Sequence, residues 1–169
     1  MTINTIPDIH QLIICANVFI RKDGKYLVIK RSSQKKYLPN TIHPIGGKVR
    51  LNENPFQAAI RKVQEEAGVI IKNIKLEAVS LEMHPKVPDM ANWFIFHFSA
   101  DYESGEIKKS DEGDLLLLSS EEFKKEKLFA PVRRICDHIF DPKDGTVFAS
   151  FDLDPNLNIT KEDIKVCVL

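Results

Sequence analysis

The sequence predicts an α+β (mixed α/β) protein whose single mixed β-sheet is sandwiched between helices, an α/β/α arrangement. Three observations predict it. Hairpin-type strand pairs dominate the first half of the chain. Only two segments carry the periodicity of core-forming helices. The element order runs ββ-β-α-ββ-β-α, which departs from the strict β-α alternation of a doubly wound fold. The 169 residues are enough for one ordinary domain and too few for two of typical size. Residues 1–140 are expected to form the main body, with residues 141–169 as a C-terminal extension packed on the same domain.

Taken in order, Gln11 to Ile20 is nearly continuous apolar and β-branched and predicts a first strand. Asp23-Gly24 supplies a hairpin turn, and Tyr26 to Lys30 the second strand. After the polar stretch holding Pro39 and Asn40, a short third strand is expected over Ile42 to Ile45, stopped by Gly46-Gly47. Phe56, Ala59, Ile60, Val63 and Ala67 recur at helical spacing and predict a helix over Pro55–Ala67. Asn54 suits its N-cap, Pro55 its first turn and Gly68 its C-terminal stop. Strand patterns return at Ile74 to Met83 and Asn92 to Ala100, around a loop holding Pro85 and Pro88. Both faces of the second of these strands look buried, with His97 as a hydrogen-bonded core histidine and His43 facing the sheet interior. Leu115 to Leu118 predicts a short apolar strand, Glu121 to Lys127 a short polar helix and Pro131 to Phe140 a core helix. Thr146 to Leu153 alternates like a strand, whereas Lys161 to Leu169 reads equally as a strand or a disordered end.

Composition narrows the function classes. Lys and Arg number 24 and Asp and Glu 24, so no broad positive field is available for duplex nucleic acid or an anionic membrane surface. A hydrophobic content of 43% with 28% charged residues fits a folded globular chain. No apolar run approaches the roughly 20 residues of a membrane span, and no basic-then-apolar leader is visible at the start. Cys15, Cys136 and Cys167 are odd in number and far apart, which opposes a disulfide framework and a zinc knuckle. A reduced, cytoplasmic protein is the expectation, and a homodimer is compatible with it.

The chemistry is concentrated in Gly47 to Val69, GKVRLNENPFQAAIRKVQEEAGV. Paired glycines end a strand, a loop carries Glu53, and a helix carries adjacent Glu65 and Glu66. Hard divalent cations take oxygen ligands and keep several waters, with one or two carboxylates and substrate phosphates completing the shell. Two clustered glutamates on a rigid helix, with Glu53 brought near, meet that need. The same helix also reads as an ordinary solvated one, since Arg61–Glu65 and Lys62–Glu66 are i,i+4 pairs each worth a few tenths of a kcal/mol.

The spacing taken whole resembles the Nudix (MutT-type) box, GX5EX7REUXEEXGU, where U is a bulky aliphatic residue. Gly47, Glu53, Arg61, Val63, Glu65, Glu66, Gly68 and Val69 fall on eight of its nine specified positions. Lys62 stands where the box has glutamate. The resemblance implies a Nudix fold and hydrolysis of the pyrophosphate of a nucleoside diphosphate derivative, with Mg²⁺ or Mn²⁺. It makes Glu65 and Glu66 the paired metal ligands and Glu53 the supporting one. Arg61 would orient a box carboxylate by charge-assisted hydrogen bonding. Family members often recruit an acid before a late strand. Glu112 is the candidate ligand or general base, with Asp111 and Asp114 as rivals.

Lys62 changes the local charge by two units relative to the box. Within a few ångströms of a divalent ion, that repels by at least a few kcal/mol at an effective dielectric near 20. The lysine either swings out on its stem or pairs with Glu66 and quenches a ligand. A weakened, slow enzyme is expected, and the alternative is a catalytically impaired nucleotide-binding or regulatory module on the same fold. The partner in either case is a small-molecule nucleotide. Gly46, Gly47, Lys48 and Arg31 are candidates for phosphate contact, and Tyr37 and Trp93 either stack on a base or pack in the core. Oxidised nucleotides, dinucleoside polyphosphates, nucleotide sugars and capped RNA ends all stay open as substrates.

Overall fold

The computed structural model describes residues 12–87, 90–141 and 144–168. Gln11, Pro88 and Leu169, assigned above to the first strand, a loop and the tail, lie outside the described residues.

The first hairpin joins β1 (Leu12–Lys22) to β2 (Lys25–Arg31). Asp23 and Gly24 both take positive φ, 50° and 74°, the left-handed pair that matches the twist of a tight hairpin. The expected third strand is in fact two, β3 (Ile42–His43) and β4 (Ile45–Lys48), and Gly46-Gly47 lie inside the second instead of stopping it. The reason is close approach. Gly46 and Gly47 pair with Asn17 and Ala16 of β1, and a Cβ on Gly46 would collide with the β1 backbone.

Helix α1 (Pro55–Ala67) has the expected bounds. Asn54 and Gln57 form a reciprocal capping box, and Gly68 closes the helix in the left-handed conformation. Its buried face is rotated from the expected one. Ala58, Ala59, Val63, Glu66 and Ala67 are buried, while Phe56 and Ile60 are 46% and 40% exposed. Alanines let the helix lie close on Val18, Ile20 and Ile45, and larger side chains are turned outward. That rotation carries Lys62 and Glu66 toward the sheet edge.

The remaining elements are β5 (Ile70–Met83), β6 (Asn92–Ser104), β7 (Gly113–Leu118), α2 (Ser120–Lys125), α3 (Ala130–Phe140), β8 (Thr146–Leu153) and β9 (Ile159–Cys167). The sheet runs β3-β2-β1-β6-β5-β8-β9, with β4 added to β1 and β7 to β2. It is mixed: β1–β6 and β5–β8 are parallel, the other pairings antiparallel. The period-2 alternation of β1 sends Val18 and Ile20 to a core under α1 and Phe19 to a second core under α2 and α3. The sheet is thus covered on both faces.

The C-terminal segment joins this sheet. β8 lies parallel to β5, with Phe151 and Leu153 fully buried among α3 side chains. Residues 159–167 settle as the strand β9 on its outer edge. The β6 faces are less evenly buried than their composition suggests, since Trp93, Phe94 and Phe96 are half-buried. Trp93 and Ile95 of this strand line a cleft.

Candidate active-site cleft

The glycine pair sets the geometry. With no side chain on Gly47, the stem of Lys62 crosses directly over it, and a Cβ there would lie 2.7 Å from Lys62 Cε. The loop after β4 is then tied to α1 by two guanidinium groups, Arg50 donating from Nη2 to Glu65 Oε1 at 3.1 Å and Arg61 making the larger set of bonds. Arg61 donates from Nε to Glu53 Oε2 at 2.8 Å, from Nη1 to Glu65 Oε2 at 2.9 Å and from Nη2 to the Lys48 carbonyl at 3.1 Å. A further Nη2 bond reaches Glu53 Oε1, which also accepts from the Arg50 amide at 2.8 Å. Arg61 therefore organises the loop and two acids, as its place in the motif implies.

Both oxygens of Glu53 are taken up by this clamp. The Arg61 hydrogen bonds, supported by the Arg50 amide, hold its carboxyl down at about 2, against an ordinary 4.5. A carboxyl lowered in the folded state stabilises above its unfolded value and loses that contribution as pH falls through the folded one. The melting temperatures of wild type and Glu53→Gln should therefore differ by a constant amount above about pH 5 and converge between about pH 4 and pH 2. Thermal melts across that range check it.

Glu66 faces the other way. It is 8% exposed and forms an ion pair with Lys62, whose ammonium also lies 3.8 Å from Glu65 Oε2. Burial pushes the Glu66 carboxyl upward, and the Lys62 ammonium pulls it back. Of the two arrangements open to Lys62, the paired one is found.

Glu66 and Lys62 border a cleft of about 430 Å³, together with Arg31, Gly46, Gly47, Lys48 and Glu112. Glu112 accepts from Lys35 at 2.7 Å, which keeps its carboxyl ionised and below the usual range. Its rivals separate from it: Asp111 and Asp114 line a shallow depression with Lys30, Ser32 and Asn40. Glu53, Arg61 and Glu65 stand behind the cleft and are not among its lining residues. The candidate phosphate contacts and two of the acids are thus brought together, and the remaining acids are held by arginines.

A divalent cation can be weighed against this arrangement directly. No three described His, Cys, Asp or Glu side chains group as a metal cage. Glu65 and Glu66 nevertheless converge on one cation position, because the Lys62 ammonium already sits between them. The ammonium is the stand-in for the ion, and a two-carboxylate seat with water fits Mg²⁺ in donor type and number. Lys62 occupies the position that such an ion would take and would compete with it.

The inner half of the cleft holds the stacking candidates Tyr37 and Trp93 and the inward-facing His43, together with Cys15, Asn17 and Glu82, which the sequence did not single out for the site. Phe129 and Val132 back it. Tyr37 and Trp93 are near-parallel, with ring centroids 6.3 Å apart and an interplanar angle of 19°. Lys48 Nζ lies 5.6 Å from the Trp93 ring centroid. His43 borders the cleft, where burial pushes its imidazole down to about 4 and keeps it neutral. His97 is a core histidine, as expected, with Nε2 3.0 Å from Ser80 Oγ. Ser80 and Glu82 on β5, and His84 just past its end, are all buried, although alternating polar residues ordinarily mark a solvent face. That pattern, polar residues alternating with hydrophobic ones along a strand, was the available signal.

Comparisons with known proteins bear on the family and the fold. The family model described as NUDIX domain matches residues 11–138. The 8-oxo-dGTP diphosphatase of Escherichia coli (strain K12) is 24% identical over 119 residues, spanning 69% of this chain and 92% of that protein. Among solved structures, the mutator MutT protein of Bacillus halodurans superposes with a TM-score of 0.80 at 20% identity, covering 91% of this chain and 98% of that one. A MutT NUDIX hydrolase from Burkholderia pseudomallei gives 0.66 at 22% identity, over 77% and 99%. At these identities the structural likenesses speak to the fold.

Proposed function

The chain belongs to the NUDIX domain family, and from that premise we propose that its cleft hydrolyses the pyrophosphate of a nucleoside diphosphate derivative with Mg²⁺ or Mn²⁺. The family assignment makes it a hydrolase of small-molecule nucleotides, and hydrolases of this family generally use divalent metal ions. The observation that carries the site-level reading is the convergence of Glu65 and Glu66 on one cation position, beside a cleft lined by Arg31, Lys48 and Glu112.

The residues divide the work. Glu66 and Glu65 would hold the ion, which when bound supplies charge neutralisation on the phosphoryl oxygens and a water of lowered pKa. Arg61 and Glu53 are positioning residues: their clamp fixes Glu65 and the Lys48 carbonyl. Lys48 and Arg31, with the side-chain-free surface of Gly46 and Gly47, receive the phosphates. Glu112, ionised beside Lys35, accepts the proton of the attacking water at a carboxylate oxygen. Residues 141–169 belong to this same domain through β8 and β9. The free cysteines among the described residues accord with a cytoplasmic setting.

The test is release of nucleoside monophosphate and pyrophosphate, or of a second phosphorylated product, from a nucleotide panel at alkaline pH with Mg²⁺ or Mn²⁺. 8-oxo-dGTP belongs on that panel because the Escherichia coli relative is named for it. Product formation with ¹⁸O from water on phosphorus is expected. Absence of product from every substrate at stoichiometric enzyme overturns the hydrolase. The Lys62–Glu66 ion pair favours one second reading, a binding module that has lost turnover. Ligand-induced thermal stabilisation without product is its signature.

A further inference from the structure

Two polar groups in the inner cleft have no partner. Glu82 is 3% exposed, and no described donor reaches its carboxyl. The Tyr37 hydroxyl is buried without a hydrogen bond. Both groups line the same cleft, between the rings of Trp93 and Phe129 and the Cys15 side chain. Native interiors seldom leave a buried hydroxyl such as that of Tyr37 unpaired, because it costs about 1–3 kcal/mol. A ligand that satisfies both is the economical explanation. Its chemistry follows from the lining: aromatic side chains favour a planar ring, and the Glu82 and Tyr37 polar groups favour one with hydrogen-bonding atoms on its rim.

We infer that Glu82, as a neutral carboxylic acid assisted by the Tyr37 hydroxyl, is a specificity-determining residue that reads a donor–acceptor pair on the edge of the substrate's nucleobase. The inference rests on the reading of the outer cleft as the phosphate and metal end of a nucleotide site. It adds which side chains recognise the base and in which protonation state.

Neutrality follows from the surroundings. Glu82 shares the cleft lining with Cys15, Tyr37, Trp93, Ile95, Phe129 and Val132. His43 and the cations Arg31, Lys48 and Lys62 line the same cleft, yet Glu82 forms no ion pair with any of them among the described residues. An isolated carboxylate cannot be held in such a site at ordinary cost. Burial accordingly raises the Glu82 carboxyl to about 8, with no compensating charge or hydrogen bond. A neutral carboxylic acid offers one O–H donor and one carbonyl acceptor side by side. An amide of the same shape offers the same pair, and a carboxylate offers two acceptors.

That difference supplies the test. Binding of AMP, CMP, GMP and UMP would be measured by calorimetry without metal, beside ribose 5-phosphate as a ligand with no base. At least one nucleotide is expected to bind tenfold or more tightly than ribose 5-phosphate. Glu82→Gln should keep that base-dependent advantage within about threefold, and Glu82→Leu should abolish it with ribose 5-phosphate unchanged. Tyr37→Phe, which keeps the ring and so the pocket's shape, should cut the advantage several-fold and still reports should the Leu variant fail to fold. The inference is overturned if wild type binds no nucleotide better than ribose 5-phosphate, or if Glu82→Gln loses as much as Glu82→Leu. It is equally overturned if neither Glu82→Leu nor Tyr37→Phe weakens the preferred nucleotide. Because these measurements need no turnover, failure of the hydrolase appears separately, as missing product from a protein that still discriminates bases.

Discussion

Glu66→Gln is expected to lower hydrolysis on the order of 100-fold or more while the protein stays folded. The substitution keeps the side chain's volume and removes its charge. Glu66 is the one box acid that both lines the cleft and lies almost fully out of water. The amide is a poorer ligand for a hard cation and gives up the ion pair with Lys62. Breaking a buried pair can cost about 3–5 kcal/mol, but Lys62 keeps Glu65 at 3.8 Å and a partly exposed stem, so the loss should fall below that range. Turnover, a metal titration and a thermal melt measured together separate the roles. Turnover within threefold of wild type would remove Glu66 from the reaction and the paired-carboxylate seat with it.

The second large effect has the opposite sign. Lys62→Glu should raise Mg²⁺ affinity and turnover by tenfold or more. In the wild type any ion entering between Glu65 and Glu66 must first expel an ammonium that both carboxylates hold. At effective dielectrics near 20, exchanging that ammonium for a carboxylate a few ångströms away is worth several kcal/mol to a divalent ion. The same substitution places like charges at 62 and 66, one helical turn apart, and should destabilise the metal-free protein. Melting temperatures are therefore expected to cross. The wild type is the more stable without metal. Lys62→Glu becomes the more stable in Mg²⁺ at about 100 times its dissociation constant, where binding contributes about 2.7 kcal/mol. Parallel response of the two proteins to Mg²⁺ would show that position 62 lies outside the ion's reach.

Local signals were legible wherever one residue type had one conformational use. Asn54, Pro55 and Gly68 bound α1 to the residue because capping and left-handed closure are decided within a turn. Asp23-Gly24 fixed the first hairpin for the same reason. The glycine pair misled because glycine has two uses. It can end a strand, or it can let a strand come close to another, and only the neighbour, here the β1 backbone and the Lys62 stem, distinguishes them. The helix face was off by part of a turn because periodicity marks which residues are apolar, while closeness to the sheet selects which are small.

The motif spacing by itself determined the family, the acids available and the anomaly at Lys62, because those are properties of order along one loop and one helix. Tertiary structure decided how those charges are shared: Glu53 to Arg61, Glu65 to Arg61 and Arg50, Glu66 to Lys62, Glu112 to Lys35. It also decided that Ser80, Glu82 and His84 face inward. Both outcomes depend on which side chains distant strands and α3 bring within a few ångströms. Electrostatic pairing and desolvation act through space over that range, and no spacing within a single segment encodes it.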